Sequence, residues 1–261
     1  MKPPLKISVI TVTYNAANLI ARTIGSVEEQ TYDAVEHIII DGNSQDNTLS
    51  EIHHYQERNS RTEHPREIVC RSEPDRGIYD AMNKGLRKAT GDYVWFLNAG
   101  DTLYTADTLQ SVVASLKKSV SLPDVLYGET QIVDAQGRSL GMRRLKAPRK
   151  LTWKRFRMGM LVCHQSFVVK RSLAPEYDTT YRWVADYEWC IRCLKQAKRT
   201  KHTHLILSNY LEEGLSTANR KASLKERYAV MCRYYGTLPT LLLHVWFALR
   251  FYTAKWIKGR V

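Results

Sequence analysis

Four times within the first 101 residues, a short apolar run rich in β-branched side chains ends in a cluster of acids, amides and hydroxyls and gives way to an amphipathic segment. Lys6–Thr13, Val35–Ile40, Glu67–Arg71 and Tyr93–Leu97 are predicted strands, and Asn18–Glu29, Thr48–Arg58 and Ile78–Ala89 are predicted helices between them. That alternation builds βαβ units around a mostly parallel sheet. In such sheets ligands bind outside the carboxyl ends of the strands. Those ends carry Thr13-Tyr14-Asn15, Asp41-Gly42-Asn43-Ser44, Ser72-Glu73-Pro74-Asp75 and Asn98-Ala99-Gly100-Asp101, so the functional residues are expected along one edge.

After Asp101 the alternation loosens into a helix near Ala106–Leu116, a strand near Val125–Thr130, a basic loop, a strand at Ser166–Lys170 and a helix over Ala185–Gln196. This half is expected to receive a second ligand. At 261 residues with 44% hydrophobic content, the chain can bury a full core, which excludes wholesale disorder. Its five cysteines show no framework spacing and its start lacks the apolar run of a signal peptide, so a reducing, cytoplasmic setting is expected. Cys190 and Cys193 lie beside Trp189, Ile191 and Leu194, as in a packed helix, and no second pair follows at zinc-ligand spacing.

The net charge of +13 predicts attraction to polyanions. Much of it lies between Arg143 and Arg157 and between Arg220 and Arg260, interleaved with Trp153, Phe156, Trp246, Phe251 and Trp256. The apolar run Leu238–Tyr252 is 15 residues long, shorter than the ~20 that span a bilayer. As a helix it sets Leu242, Val245, Trp246 and Leu249 on one side and Phe247 and Phe251 on another. The expectation is a basic helix lying on an anionic membrane surface, with packing on the domain as the other outcome.

A base-binding pocket needs an aromatic face and an acceptor for a base N–H, and Tyr14 and Asp41 end adjacent predicted strands. Singly, each is an ordinary turn residue. Between Ser72 and Gly85, Pro74 and Gly77 bend the chain into a helix whose start would suit an anion, with Asp80 and Asn83 on one face. Asp101 follows small Ala99 and Gly100, which allow close approach of a ligand, and its carboxylate is a candidate for a divalent cation bridging a diphosphate. Asp186 and Glu188 open an aromatic-rich helix, where one carboxylate is suited to take a hydroxyl proton.

In order, TVTYN at 11–15, DGNSQDNT at 41–48, SEPDRGIYDAMNKG at 72–85, FLNAGD at 96–101, CHQSF at 163–167 and ADYE at 185–188 resemble glycosyltransferase family 2, in its bacterial polysaccharide branch with the WcaE-like colanic acid transferases. The resemblance covers about residues 5–216. It implies a GT-A fold, a Rossmann-like mixed sheet flanked by helices, and transfer of a sugar with inversion at the anomeric carbon.

By position, it implies that Thr13, Tyr14, Asn15, Asp41, Ser44, Asp75, Asp80, Asn83 and Lys84 bind the nucleotide-sugar. It makes Asp101 the metal acid, for Mn2+ or Mg2+, and Asp186 the general base, with His164 and Glu188 near a lipid-linked saccharide acceptor. Where the family has D-x-D, this chain has Asn98-Ala99-Gly100-Asp101, and Asn47 replaces a glycine. The expected partition is 1–216 for the transferase domain, divided at 101/102 into donor and acceptor halves, and 217–261 for a basic helical tail. The expected location is the inner face of the cell membrane, without nucleic acid.

Two other classes were weighed. A sugar nucleotidyltransferase needs a glycine-rich loop after its first strand, where this chain has TYNA. A basic nucleotide- or lipid-binding module without catalysis rests on charge alone.

Overall fold

The computed structural model describes residues 4–116, 121–212 and 220–258. The elements run β1 (Ile7–Thr13), α1 (Ala17–Glu28), β2 (Val35–Asp41), α2 (Thr48–Ser60), β3 (Glu67–Ser72), α3 (Ile78–Lys88) and β4 (Tyr93–Phe96). There follow β5 (Thr102–Leu103), α4 (Thr108–Leu116), β6 (Val125–Val133), β7 (Ser139–Met142), β8 (Phe167–Lys170), α5 (Ala185–Gln196), β9 (Thr200–Leu211), α6 (Arg220–Tyr235) and α7 (Thr237–Lys258).

One nine-stranded sheet has the order β3-β2-β1-β4-β8-β6-β9-β5, with β7 paired to β6. β1 to β4 are mutually parallel, as the helical crossovers demand. β8 lies antiparallel between β4 and β6. It therefore begins beside the end of β4, which brings His164, Gln165 and Ser166 to the edge where the first four strands finish.

Both faces of the sheet are covered, so its central strands are buried along their length and mostly apolar, with Ser8, Thr11, Glu36 and His37 as buried polar exceptions. Ile10, Val12, Ile38 and Phe96 pack with Met82 of α3 and Trp189 of α5. Val9, Trp95 and Leu126 pack with Leu109 and Val112 of α4, and Ile39 packs with Ile20, Ile24, Ile52 and Tyr55. Cys190 and Cys193 are buried free thiols inside α5.

The sequence reading did not predict β5, β7 or β9, and left the packing of the tail open between a membrane surface and the domain. β9 pairs with β6 in parallel over most of its length, but its register shifts twice and His204 sits at φ 60. Its polar sequence, TKHTHLILSNYL, and these irregularities hide the alternation of a strand. The proposed boundary at 216/217 lies outside the described residues. Beyond it, α6 packs on the domain: Val230 and Met231 join the main core, Glu226 accepts the Arg182 and Trp183 N–H groups at 3.0 and 2.8 Å, and Tyr235 stacks on Trp153 at 5.7 Å.

Candidate active site

The turn after β1 and the loop after β2 lock together. The Asn15 N–H donates to Ser44 Oγ at 2.8 Å, and Asn15 Oδ1 accepts the Gln45 N–H at 2.8 Å, with Asn15 held at φ 46. Asp41, fully buried, accepts from Ser44 N–H at 2.9 Å, Ser44 Oγ at 2.5 Å and Ser72 Oγ at 2.6 Å. Its carboxylate thus ties three strand-end loops to each other. The first N–H groups of α1 are already taken, Ala16 by Thr48 Oγ1 and Ala17 by Asp46 Oδ2.

On this base lie Tyr14, exposed, and Asp75, whose side chain is only 10% exposed. The Tyr14 ring is 64% exposed. A Cβ placed on Gly42 would lie 3.0 Å from Asp75 Oδ2 and 3.2 Å from Tyr14 Cδ2, so glycine there lets both side chains lie close over the backbone. Asp75 Oδ1 pairs with Lys84 Nζ at 2.5 Å, while Oδ2 has no hydrogen-bond donor among the described residues. Burial raises the Asp75 carboxyl, and Lys84 opposes that. Lys84 also reaches the Pro74 carbonyl at 2.8 Å, Glu73 at 3.2 Å and Asp80 at 3.9 Å.

Four expectations need correction. The start of α3, entered through Gly77 at φ 118, was expected to receive an anion, but Asp80 takes the Arg76 N–H at 3.0 Å and already places a carboxylate there. That N–H holds the Asp80 carboxyl below its ordinary range.

Asn83 does not line an open cleft: both ends of its amide clamp the backbone of Tyr177, at 3.0 and 2.6 Å. Glu188 is buried, salt-bridged to Arg192 at 2.8 Å and hydrogen-bonded by Tyr234 of α6. Two residues along a helix turn the side chain about 200°, which faces it away from Asp186. Asp101 is buried, with Oδ2 accepting from Gln165 Nε2 at 2.8 Å and Oδ1 from the Leu211 N–H at 2.9 Å. Burial pushes its carboxyl up to about 7.

Among the described residues, Asp101 offers a divalent cation one carboxylate, both of whose oxygens already accept a hydrogen bond. No group of three or more His, Cys, Asp or Glu side chains suited to a metal exists among the described residues. Two buried polar atoms at the ends of β1 and β4, Thr13 Oγ1 and Asn98 Oδ1, have no hydrogen-bond partner among the described residues and suit a bound hydroxyl or N–H.

Asp186, at the first turn of α5, is half-buried and accepts a hydrogen bond from Tyr79 Oη at 3.2 Å. Tyr79 stacks on Tyr177 at 5.7 Å, and Tyr177 stacks on Trp189 at 4.9 Å. His164, stacked on Phe96, shares a 2.6 Å hydrogen bond with Tyr177 Oη. Burial lowers its imidazole to about 4, so it is neutral near pH 7. Tyr79, Tyr177, Gln165 and Asn98 escaped the sequence reading as site residues, although Tyr79, Gln165 and Asn98 lie inside the quoted motifs.

Asp41, Asp75, Tyr79 and Asp186 therefore converge on the carboxyl edge of the parallel strands. Cavities of about 480 Å³ lie elsewhere, one lined by Arg22, Ser26 and Tyr104, another by Lys6, Arg66 and Asp92.

Comparison with known proteins agrees with this architecture. The family model Glycosyl transferase family 2 matches residues 8–177. A PGL/p-HBAD biosynthesis glycosyltransferase of Mycobacterium bovis is 30% identical over 244 residues, covering 92% of this chain and 90% of its own. The Escherichia coli UDP-Glc:alpha-D-GlcNAc-diphosphoundecaprenol beta-1,3-glucosyltransferase WfgD is 25% identical, covering 86% and 85%.

Among solved structures, S. aureus TarS 1–349 with UDP-GlcNAc superposes with a TM-score of 0.67 at 21% identity, over 87% of this chain and 64% of that one. The mannosyltransferase PcManGT of Pyrobaculum calidifontis, in complex with GDP-Man and Mn2+, gives 0.63 at 20% identity, over 93% and 69%. With its mixed sheet, strand-end site and family match in agreement, the chain belongs to glycosyltransferase family 2 and has the GT-A fold.

Proposed function

We propose that the chain moves a sugar from a nucleoside diphosphate sugar to a hydroxyl of a lipid-linked saccharide, in one in-line displacement with inversion, during bacterial surface polysaccharide synthesis. The observation that carries this reading is that exposed Tyr14 and largely buried Asp75 flank Gly42 at the strand ends, while Tyr79 bonds Asp186 at the starts of α3 and α5.

Tyr14 stacks on the base and Asp75 Oδ2 accepts a base N–H, while Asp41 and Ser44 hold the loop beneath them. Thr13 Oγ1 and Asn98 Oδ1 supply unpartnered polar atoms to the nucleotide side. Asp186 Oδ accepts the acceptor hydroxyl's proton as its oxygen bonds to the anomeric carbon, and the nucleoside diphosphate leaves with the electrons of the broken C–O bond. Arg76, whose side chain is 89% exposed and pairs with Asp80 at 3.6 Å, offers that diphosphate a positive charge. A metal, if the nucleotide carries one, would supply further charge neutralisation through its phosphates.

Similarity to WfgD supports a diphosphate-linked lipid acceptor and a UDP-sugar donor. Five free cysteines agree with a reducing, cytoplasmic compartment. The deciding experiment is Asp186→Asn, assayed with donor and acceptor. Nucleotide affinity should persist while transfer falls at least about 100-fold; unchanged turnover removes Asp186 from the mechanism.

A further inference from the structure

α7 has two apolar faces, which is why its hydrophobic pattern looked impure in sequence. On the inner face Thr240 is fully buried, Leu243 packs against the main core, and His244 lies edge-on to Tyr228 of α6 at 5.1 Å. On the outer face Leu238, Leu241, Leu242, Val245, Trp246 and Leu249 are each 42–66% exposed. They recur at three- and four-residue steps and so form one continuous stripe. Contiguous exposed apolar surface of this kind marks an interaction site.

Charge argues for its occupant. The 3-10 turn Trp153–Met158 is joined to α6 by the Tyr235–Trp153 stack and by a 2.7 Å hydrogen bond from Tyr235 Oη to the Trp153 carbonyl. Arg149, Lys150, Lys154, Arg155 and Arg157, on and just before that turn, are exposed, and none forms an ion pair with an acid among the described residues. Residues 220–261 carry nine Lys or Arg against a single acid, Glu226.

A second copy of the chain would bring this positive charge against itself, and a nucleic acid would leave the apolar stripe in water. An anionic bilayer surface satisfies both parts, since acyl chains receive the stripe and headgroups meet the cations. No helix among the described residues is long and apolar enough to cross a membrane, in keeping with a helix that lies on the surface.

We infer that the outer face of α7 and the basic turn at 149–157 form one docking surface for anionic phospholipid. The same α6 is fixed to α5 through the Tyr234–Glu188 hydrogen bond, and α5 carries Asp186. Docking therefore sets the height of Asp186 above the lipid surface; this last consequence rests on the lipid-linked acceptor proposed above.

The test is co-sedimentation of the full chain with vesicles of phosphatidylcholine alone or mixed with phosphatidylglycerol. Binding is expected only to the mixed vesicles. Leu242→Asn with Leu249→Asn should weaken it about tenfold or more, and Arg149→Gln with Lys150→Gln to a similar degree, steeper at low salt. Thermal melts confirm that each variant is folded.

A water-soluble saccharide acceptor should be glycosylated at the wild-type rate by all of these variants, which separates failure of docking from failure of the catalytic reading. Equal binding to both vesicles, no binding, unchanged binding by the variants, or a dimer in sedimentation equilibrium that the leucine variants dissolve would each overturn the inference.

Discussion

Tyr79 Oη donates a hydrogen bond to Asp186 at 3.2 Å, joining the first turn of α3 to the first turn of α5 across 107 residues of sequence. Tyr79 is itself fixed by its stack on Tyr177, so it restrains the carboxylate's orientation. Tyr79→Phe keeps the stack and removes the restraint. We expect kcat to fall about tenfold with the KM for the donor unchanged, and stability to fall by only about 1 kcal/mol. A rise in donor KM at constant kcat would assign Tyr79 to donor binding instead.

Tyr14 and Asp75 should act on the nucleotide alone. Tyr14→Leu and Asp75→Ala are each expected to weaken nucleoside diphosphate binding by about 1–3 kcal/mol, measured by calorimetry without acceptor. Wild-type affinity in both variants would place the base elsewhere.

Asp101 has a folded pKa of about 7 against an ordinary 3.8, with burial the main cause, opposed by the Leu211 N–H and the Gln165 amide. Because the folded value is the higher one, its stabilising contribution is complete below the unfolded pKa and is lost as pH rises through about 7. The melting temperature should carry a downward slope over that interval that Asp101→Asn flattens. Mn2+ added without nucleotide should leave the melting temperature of the wild-type chain unchanged, since the carboxylate is already engaged.

Glu36 behaves in the opposite sense at the far edge of the sheet. Burial would raise its carboxyl, but hydrogen bonds from Lys6, Ser8 and Thr90 outweigh it and hold the value at about 2. Lys6 Nζ lies 2.8 Å away and Thr90 donates through both N–H and hydroxyl at 2.6 Å. This contribution is complete above the ordinary 4.5 and disappears as pH falls through about 2. Glu36→Gln should cost about 2 kcal/mol at neutral pH, read by denaturant titration, and leave turnover intact.

The parallel half of the fold was legible because each strand has a β-branched apolar run and ends in turn residues, a local pattern. β9 was not, because its strand character depends on pairing with β6 across two register shifts. The polar edge at the strand ends was legible, but the contacts its members make were not. Nothing near Asp101 in sequence announces Leu211, 110 residues on, whose N–H occupies it. Glu188 was open to a better reading, since helical periodicity alone separates it from Asp186. Asn83 was not, since its clamp on Tyr177 arises only once α3 and the segment before α5 pack together.

The latch between Asn15, Asp41 and Ser44 sets when the ordering of the donor rim takes place. Its carboxylate, hydroxyl and amide contacts are internal to the chain, so the rim acquires its shape as the sheet assembles and an arriving nucleotide finds a finished mould. Under the proposed reading, little chain entropy remains to be lost at the encounter, and the affinity of Tyr14 and Asp75 for a base is correspondingly less eroded.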